Sequence, residues 1–246
     1  MSPLSQDSKN PSAAPPPESL PHRTLRQLLE SRWSCREFLA REVPPAEIER
    51  VLDVARLTPS WCNTQPWHVD VLSGGAAEGL REALRAAIAD GPAQNPDIEF
   101  PAAYDGVYQE RRRESGLQLY ASLGIEKSDR AGSARQMLRN FDFFGAPHVA
   151  IVTTEAALGP YGAIDCGLFV SNFILAAHEL GIATVPQAAL ATQSPVIRDY
   201  LGLKPERQVV VGISFGYPDG DAPVNAYRTS RQSVAEVATF HRGADS

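Results

Sequence analysis

Thr58-Pro59-Ser60-Trp61-Cys62-Asn63-Thr64-Gln65-Pro66-Trp67-His68-Val69-Asp70-Val71 runs from a loop into a strand within one stretch. Proline near both ends, with Ser, Asn and Thr between, is turn composition. From Trp67 onward, Val69 and Val71 alternate with His68 and Asp70, which predicts a half-buried strand that Gly74-Gly75 ends. Upstream, Thr24 is placed to cap a helix with Leu25, Leu28 and Leu29 on one face, and Pro44-Pro45 opens a second helix. Ile48, Val51, Leu52 and Ala55 of that second helix fall at i, i+3, i+4, i+7 spacing. Downstream, helices are expected over 77–90, 104–123 (amphipathic), 129–140 and 164–180, with an irregular segment at 91–101. Buried strands are expected at 149–152 and 209–215, and a short one ends at Pro186. Few strands, not alternating regularly with helices, predict an α+β fold. No G-x-G-x-x-G follows a strand and no G-x-x-x-x-G-K-[ST] occurs, which removes Rossmann and P-loop chemistry as leading readings.

The chain has 246 residues, 43% apolar, 21% charged and 8% aromatic, an ordinary soluble composition that can bury a full core. Residues 1–21 hold six prolines and five serines with almost no apolar side chain, so 1–23 is expected to be a flexible tail and 24–246 a single domain. A net charge of −6 argues against non-specific nucleic-acid binding, which needs clustered surplus cations. No uninterrupted apolar run approaches the ~18 residues of a spanning helix; the best, 166–177, is bounded by Asp165 and His178. No basic flank precedes an apolar core at the N-terminus. A soluble, cytoplasmic protein without a membrane or nucleic-acid partner is the expectation. Cys35, Cys62 and Cys166 have no zinc or C-x-x-C spacing, which fits a reducing compartment and predicts no metal site.

Gly212-Ile-Ser-Phe-Gly216 matches the hydrolase elbow G-x-S-x-G, with Asp219, Asp221 and His241 following in hydrolase order. An elbow needs a helix after the strand, and Tyr217-Pro-Asp-Gly220 is turn chemistry instead. The favoured reading is two glycines that let a buried strand pack closely, with Ser214 an ordinary strand residue. Cys35 lies between Arg32 and Arg36, yet no general base stands at motif distance, and free cysteine is commonly a small buried hydrophobe. His178-Glu179 is not H-E-x-x-H, and a His near a helix C-terminus reads as a dipole partner or a satisfied core residue.

Four separated segments suit a phosphate-bearing cofactor better than a triad. Arg32-Trp33-Ser34-Cys35-Arg36 puts two guanidinium groups and a hydroxyl at i, i+2, i+4, on one side of an extended chain, where they can hold a phosphate dianion. Ser60 to Trp67 offers the amides of Asn63 and Gln65, suited to a heterocycle edge. Gly181-Ile-Ala-Thr-Val-Pro-Gln-Ala188 leaves backbone N–H groups after Pro186 without an evident ladder partner, and Asn225-Ala-Tyr-Arg228-Thr-Ser-Arg231 adds two more arginines. Taken singly, each has a bland alternative: a solvated basic helix end, or a packed turn.

Together these segments resemble the nitroreductase family, the flavin mononucleotide (FMN)-dependent NAD(P)H oxidoreductases. R-x-S-x-R with P-S-x-x-N-T-Q-P-W is the specific pair, and G-I-x-x-x-P-Q-A and G-Y-P-D…P-V-N…R-x-x-R follow in the right order. The likeness covers residues 25–73 and 145–240 and is weakest over 77–140. It implies a mixed central sheet flanked by helices in an intertwined homodimer, with an FMN at each of two sites on the subunit interface and C-terminal segments wrapped over the partner. By position, Arg32, Ser34 and Arg231 match phosphate or ribityl contacts, with Trp33 inside the same motif. Arg36 matches the cation near the flavin pyrimidine ring, and Asn63 a polar contact to that ring. Pro186, Gln187 and Ala188 match the strip passing the reactive nitrogen; Gln65 and Arg228 transfer more weakly. Many relatives carry Lys where this chain has Arg36, a change that keeps charge and fixes geometry.

A flavin carries the redox chemistry itself, so the protein must bind, orient and tune it, and no side-chain acid is required. The implied activity is ping-pong transfer from NADH or NADPH to a small-molecule acceptor such as a nitroaromatic or a quinone. Arg111, Arg112 and Arg113 could favour an acidic acceptor or the 2′-phosphate of NADPH, or form a solvated helix face. Two other readings stand beside this one: a protein of the same fold that stores or consumes reduced flavin, and a serine hydrolase acting through Ser214.

Overall fold

In the computed structural model, residues 23–89, 91 and 94–241 are described, so the expected tail over 1–23 lies outside the described residues except for Arg23. The sheet has four strands, β1 (His68–Ser73), β2 (His148–Glu155), β3 (Ala183–Gln187) and β4 (Arg207–Gly216), in the order β1-β2-β4-β3. Every neighbouring pair is antiparallel. The parallel pairing expected of a mixed sheet is confined to one bridge, Ser34 to Thr184, which lays the R-x-S-x-R segment along β3.

Around the sheet lie α1 (Leu25–Ser31), α2 (Pro45–Ala55), α3 (Gly74–Ala89), α4 (Gly106–Ser122), α5 (Arg130–Leu138), α6 (Gly159–Glu179), α7 (Ala188–Ala191), α8 (Ser194–Leu201) and α9 (Val234–Val237). One face of the sheet packs on α2 and α6 through Val51, Ala55, Cys166, Phe169 and Phe173. The other packs on α3, α7 and α8 through Leu80, Leu84, Leu190 and Ile197. β2 is therefore covered on both sides, and its apolar run Val149–Val152 is fully buried. The strand also continues through Thr153 and Thr154, equally buried: Arg207 donates to Thr153 Oγ1 at 2.7 Å, whereas the Thr154 hydroxyl is enclosed without a hydrogen-bond partner. Hydrophobicity alone could not extend it across two threonines.

Local signals at helix ends are realised. Thr24 caps α1 in a reciprocal box with Gln27, and Pro45 occupies the first turn of α2, which buries Ile48, Val51 and Ala55. β1 begins at His68 rather than Trp67, whose ring stacks on Phe169 at 5.2 Å. Three expectations need correction. The helix expected to be amphipathic, α4, has no buried side chain. α7 and α8 were not anticipated, because their short apolar spacing lies between stronger strand signals. α6 starts at Gly159, and Ala156–Glu179 has the length and mean hydropathy (1.3) of a membrane span once Asp165 and His178 no longer count as breaks. It is nevertheless a core helix, lying on β2, β3 and α2, with Asp165 buried and accepting from Trp61 N.

The elbow-like G-x-S-x-G is a packing device. A Cβ on Gly212 would meet Leu190 Cδ1 at 2.3 Å, and one on Gly216 would meet Pro147 Cδ at 2.8 Å. Ser214 is fully buried within β4, its hydroxyl donating to Gln187 Oε1, while His241 is exposed. Nothing about Ser214 is placed for nucleophilic attack.

Candidate functional site

Arg32 ends α1 in an extended conformation (φ −69°, ψ 150°), and the chain runs straight on to Arg36. Cys35 turns inward, fully buried, and its N–H donates to Thr184 O at 3.0 Å. Alternation then sends Arg32, Ser34 and Arg36 to the opposite side. They line a cavity of about 570 Å³ with Trp33, Tyr227, Arg228 and Arg231. Burial pushes the Cys35 thiol up to about 11, which removes it as a nucleophile at neutral pH.

The second half of the cavity comes from the C-terminal turn Pro223–Asn225. Asn225 is buried; its Oδ1 accepts from Arg36 N at 2.9 Å, and its Nδ2 donates to Glu37 O at 2.9 Å and Asp219 O at 2.8 Å. This one amide fastens the late segment to the early one and fixes where Tyr227, Arg228 and Arg231 stand. The sequence motif around Arg228 and Arg231 contains Asn225 and Tyr227 without marking either as a contact; the only sequence signal for Asn225 is its place after Pro223-Val224.

Arg36 donates to Tyr227 Oη at 2.9 Å and to Ser34 O at 3.1 Å. Arg228 lies over the Trp33 ring, 4.5 Å from its centroid, and donates to Asn225 O and Tyr227 O. Arg231 donates to Thr229 Oγ1 and to Ser230 O. Among the described residues none of these arginines, nor Arg32, pairs with a carboxylate, and the acid on the wall, Glu30, is engaged by Arg26 at 2.8 Å. Burial, then Arg231 and Arg228, push the Arg32 guanidinium below its ordinary pKa. Trp33 Nε1 is buried without a hydrogen-bond partner. Four guanidinium groups gathered on one cavity without a paired carboxylate among the described residues are the signature of an anion seat.

His178 backs this wall. Its Nε2 lies 2.7 Å from Ser31 Oγ and its ring meets Trp33 edge-on, with centroids 5.9 Å apart. Burial, followed by Arg23, Arg32 and Arg228, lowers its pKa and keeps it neutral. Among the described residues no three His, Cys, Asp or Glu side chains gather for a metal ion.

The structure does not bring every expected residue to this cavity. Asn63 and Gln65 are exposed and line none of its walls. Their loop is held by Ser60 Oγ accepting from Gln65 N and by Asp165, and it carries three left-handed non-glycine residues: Cys62 (φ 51°), Asn63 (φ 55°) and Gln65 (φ 47°). Asparagine adopts this region readily, but Cys62 and Gln65 each pay roughly 1–2 kcal/mol for it, so the loop is held against their preference. Pro186, Gln187 and Ala188 also stand off the cavity. Gln187 is buried with its side chain occupied: Nε2 donates to Asn140 O at 2.8 Å and Oε1 accepts from Ser214. That side chain is unavailable to a cofactor, which leaves this strip its backbone.

A second cavity, about 990 Å³, opens beside the first and shares Arg36, Ser115 and Tyr227 with it. Arg112 and Arg113 of α4 line it, whereas Arg111 faces a smaller cavity with Arg231.

Comparison with known proteins agrees with this geometry. The family model described as "Nitroreductase family" matches residues 29–217. A 4-nitrobenzoate reductase of Pseudomonas putida is 37% identical over 89% of this chain and 95% of its own length. The nitroreductase NfnB of Mycolicibacterium smegmatis is 38% identical over 89% of this chain and 94% of its own. The crystal structure of the FMN-dependent NfnB from Mycobacterium smegmatis in complex with NADPH superposes with a TM-score of 0.84 at 37% identity, covering 88% of this chain and 97% of that one. That of the FMN- and NADPH-dependent NfnB from a Sphigopyxis strain gives 0.87 at 31% identity, covering 89% of this chain and all of that one. The guanidinium-lined cavity, the sheet that carries it and these matches all lead to one assignment: the chain belongs to the nitroreductase family.

Proposed function

We propose that this chain is an FMN-dependent oxidoreductase that takes reducing equivalents from NAD(P)H and passes them to nitroaromatic, quinone or similar acceptors in a ping-pong cycle. The carrying observation is the cavity where Arg32, Arg36, Arg228 and Arg231 meet, none of them paired with a carboxylate among the described residues. Those donors fit a phosphate-bearing cofactor: a phosphate monoester offers three strong acceptor oxygens and close to two charges. Bound there, FMN supplies reversible hydride acceptance. Arg32, Ser34, Arg228 and Arg231 hold the phosphate and ribityl chain. Arg36, oriented by Tyr227 and Ser34 O, supplies positive charge where the reduced ring system needs it. The backbone of Pro186–Ala188 carries the remaining contact.

Asn63 and Gln65 fit this reading through a homodimer. Trp61 packs on Tyr161 at 4.4 Å, and Tyr161, Ile164 and Leu168 form an exposed apolar stripe along α6. Only 39% of the most apolar window of this helix is buried in one chain, which supports a second copy covering the rest. Exposed Val234, Val237 and Phe240 give the C-terminal segment an apolar face of its own to lay on that copy. Loop 60–66 stands next to the stripe and would reach the partner's flavin. The three unpaired thiols support a cytoplasmic location.

A visible spectrum before and after anaerobic NADPH tests the reading. A two-banded flavin spectrum that bleaches is the expected result; a protein that stays colourless after FMN is added refutes it. Reduction without turnover of a nitroaromatic would instead select the flavin-storing alternative.

A further inference from the structure

The larger cavity carries charge that the flavin site does not use. Arg112 and Arg113 come from α4, Lys127 from the α4–α5 loop and Arg130 from the first turn of α5; Glu110 is the acid on the wall. Among the described residues none of these four cations pairs with a carboxylate, and Arg112 rests instead over the Tyr104 ring at 5.2 Å. Four uncompensated cations from three separate segments converge on one concavity, against a chain that is net acidic overall. Mutual repulsion there is relieved by an anion.

We propose that this cavity seats the 2′-phosphate of NADPH and makes the protein select NADPH over NADH. The inference rests on the flavin reading of the smaller cavity. The two cavities meet at Arg36, Ser115 and Tyr227, so one ligand can put its reacting ring beside the flavin and its charged end against α4 and α5. The charge count separates the two anions a reactant could bring. A carboxylate on an aromatic acceptor is a single charge that one guanidinium fork satisfies, whereas a phosphate monoester is nearly dianionic at neutral pH and accepts from several donors at once. The volume, about 990 Å³, also suits half a dinucleotide better than one substituted benzene ring.

The test uses FMN-loaded protein and two non-reacting probes, adenosine 2′,5′-bisphosphate and adenosine 5′-monophosphate, titrated by calorimetry. The bisphosphate is expected to bind about tenfold more tightly or better, and Arg112→Gln with Arg130→Gln to remove most of that margin. In the same double variant, kcat/KM for NADPH should fall at least about fivefold while that for NADH and the bound-flavin spectrum hold. Lys127→Gln, on an exposed loop, should move the ratio the same way to a smaller extent, so a double variant that misfolds does not end the test. Equal affinity for the two probes overturns the proposal, as does an equal fall for NADPH and NADH. A lost preference for 4-nitrobenzoate over nitrobenzene with an unchanged NADPH/NADH ratio overturns it too, by assigning the charge to the acceptor. A chain that takes up no FMN fails the flavin reading alone, and the probe titration on it still decides the basic cavity.

Discussion

Asn225→Ala tests the joint on which the candidate site depends. The amide makes three hydrogen bonds, to Arg36 N, Glu37 O and Asp219 O, and is only 5% exposed. At about 1 kcal/mol net for each bond, removal should destabilise the chain by about 3 kcal/mol. Urea unfolding, followed by circular dichroism, reads that as a lower midpoint at constant slope. The same bonds position Tyr227, Arg228 and Arg231, so FMN affinity, read by fluorescence titration, should weaken about tenfold or more, equivalent to ~1.4 kcal/mol. Asn225→Asp sharpens the test. It keeps an acceptor for Arg36 N but turns a carboxylate oxygen toward two carbonyls, so it should be at least as damaging as Ala. A loss below about 1 kcal/mol with unchanged FMN affinity would show that the two segments are held together by something other than this side chain.

Gly212→Ala drives a methyl into Leu190 and should cost about 1–3 kcal/mol in unfolding experiments; a neutral result would mean that α7 is free to move away from β4. His148 accepts from Val43 N at 2.8 Å and lies 2.6 Å from Ser73 Oγ, and burial lowers its pKa, as it does for His178. Both are held neutral in the fold and take up protons more readily when unfolded. Their contribution is therefore complete above the ordinary histidine value of about 6.5 and is lost as pH falls from there toward the lowered folded value. Stability measured between neutral and mildly acidic pH should decline, and His148→Gln should flatten that decline; a slope unchanged by the substitution counts against the assignment. Ser214→Ala should leave the rate of flavin reduction within about twofold while costing about 1 kcal/mol of stability, and wild-type protein should not react with a fluorophosphonate. Labelling at Ser214 would restore the hydrolase reading.

Residues 25–73 were legible in detail because their signals are local: a capping threonine, a proline in a first turn, apolar spacing at helical intervals and strict alternation after Trp67. The arginines were legible as a set because an extended R-x-S-x-R segment has its alternation built in. The joint at Asn225 was not, since one buried amide serving residues almost two hundred positions upstream leaves no periodic trace. For Gln187 the motif P-Q-A marks the strip but not the duty of its side chain, which Asn140 and Ser214 occupy, and neither partner is visible from sequence distance. α4 misled because apolar residues on a helix read as a core face, and in one chain this helix buries none of them.

Arg36, Ser115 and Tyr227 form a party wall between the two cavities. An anion on either side lowers the potential felt on the other, and thermodynamic linkage makes the penalty identical in both directions. With both proposed seats filled, the flavin phosphate would offset part of the pull that the arginines exert on the nucleotide phosphate, and the nucleotide phosphate would offset the flavin's hold by the same amount. In the proposed two-step cycle that offset would favour release of the spent nucleotide, which must leave before the acceptor can use the same floor. Raising the ionic strength screens the wall from both sides and should draw the two occupancies toward independence.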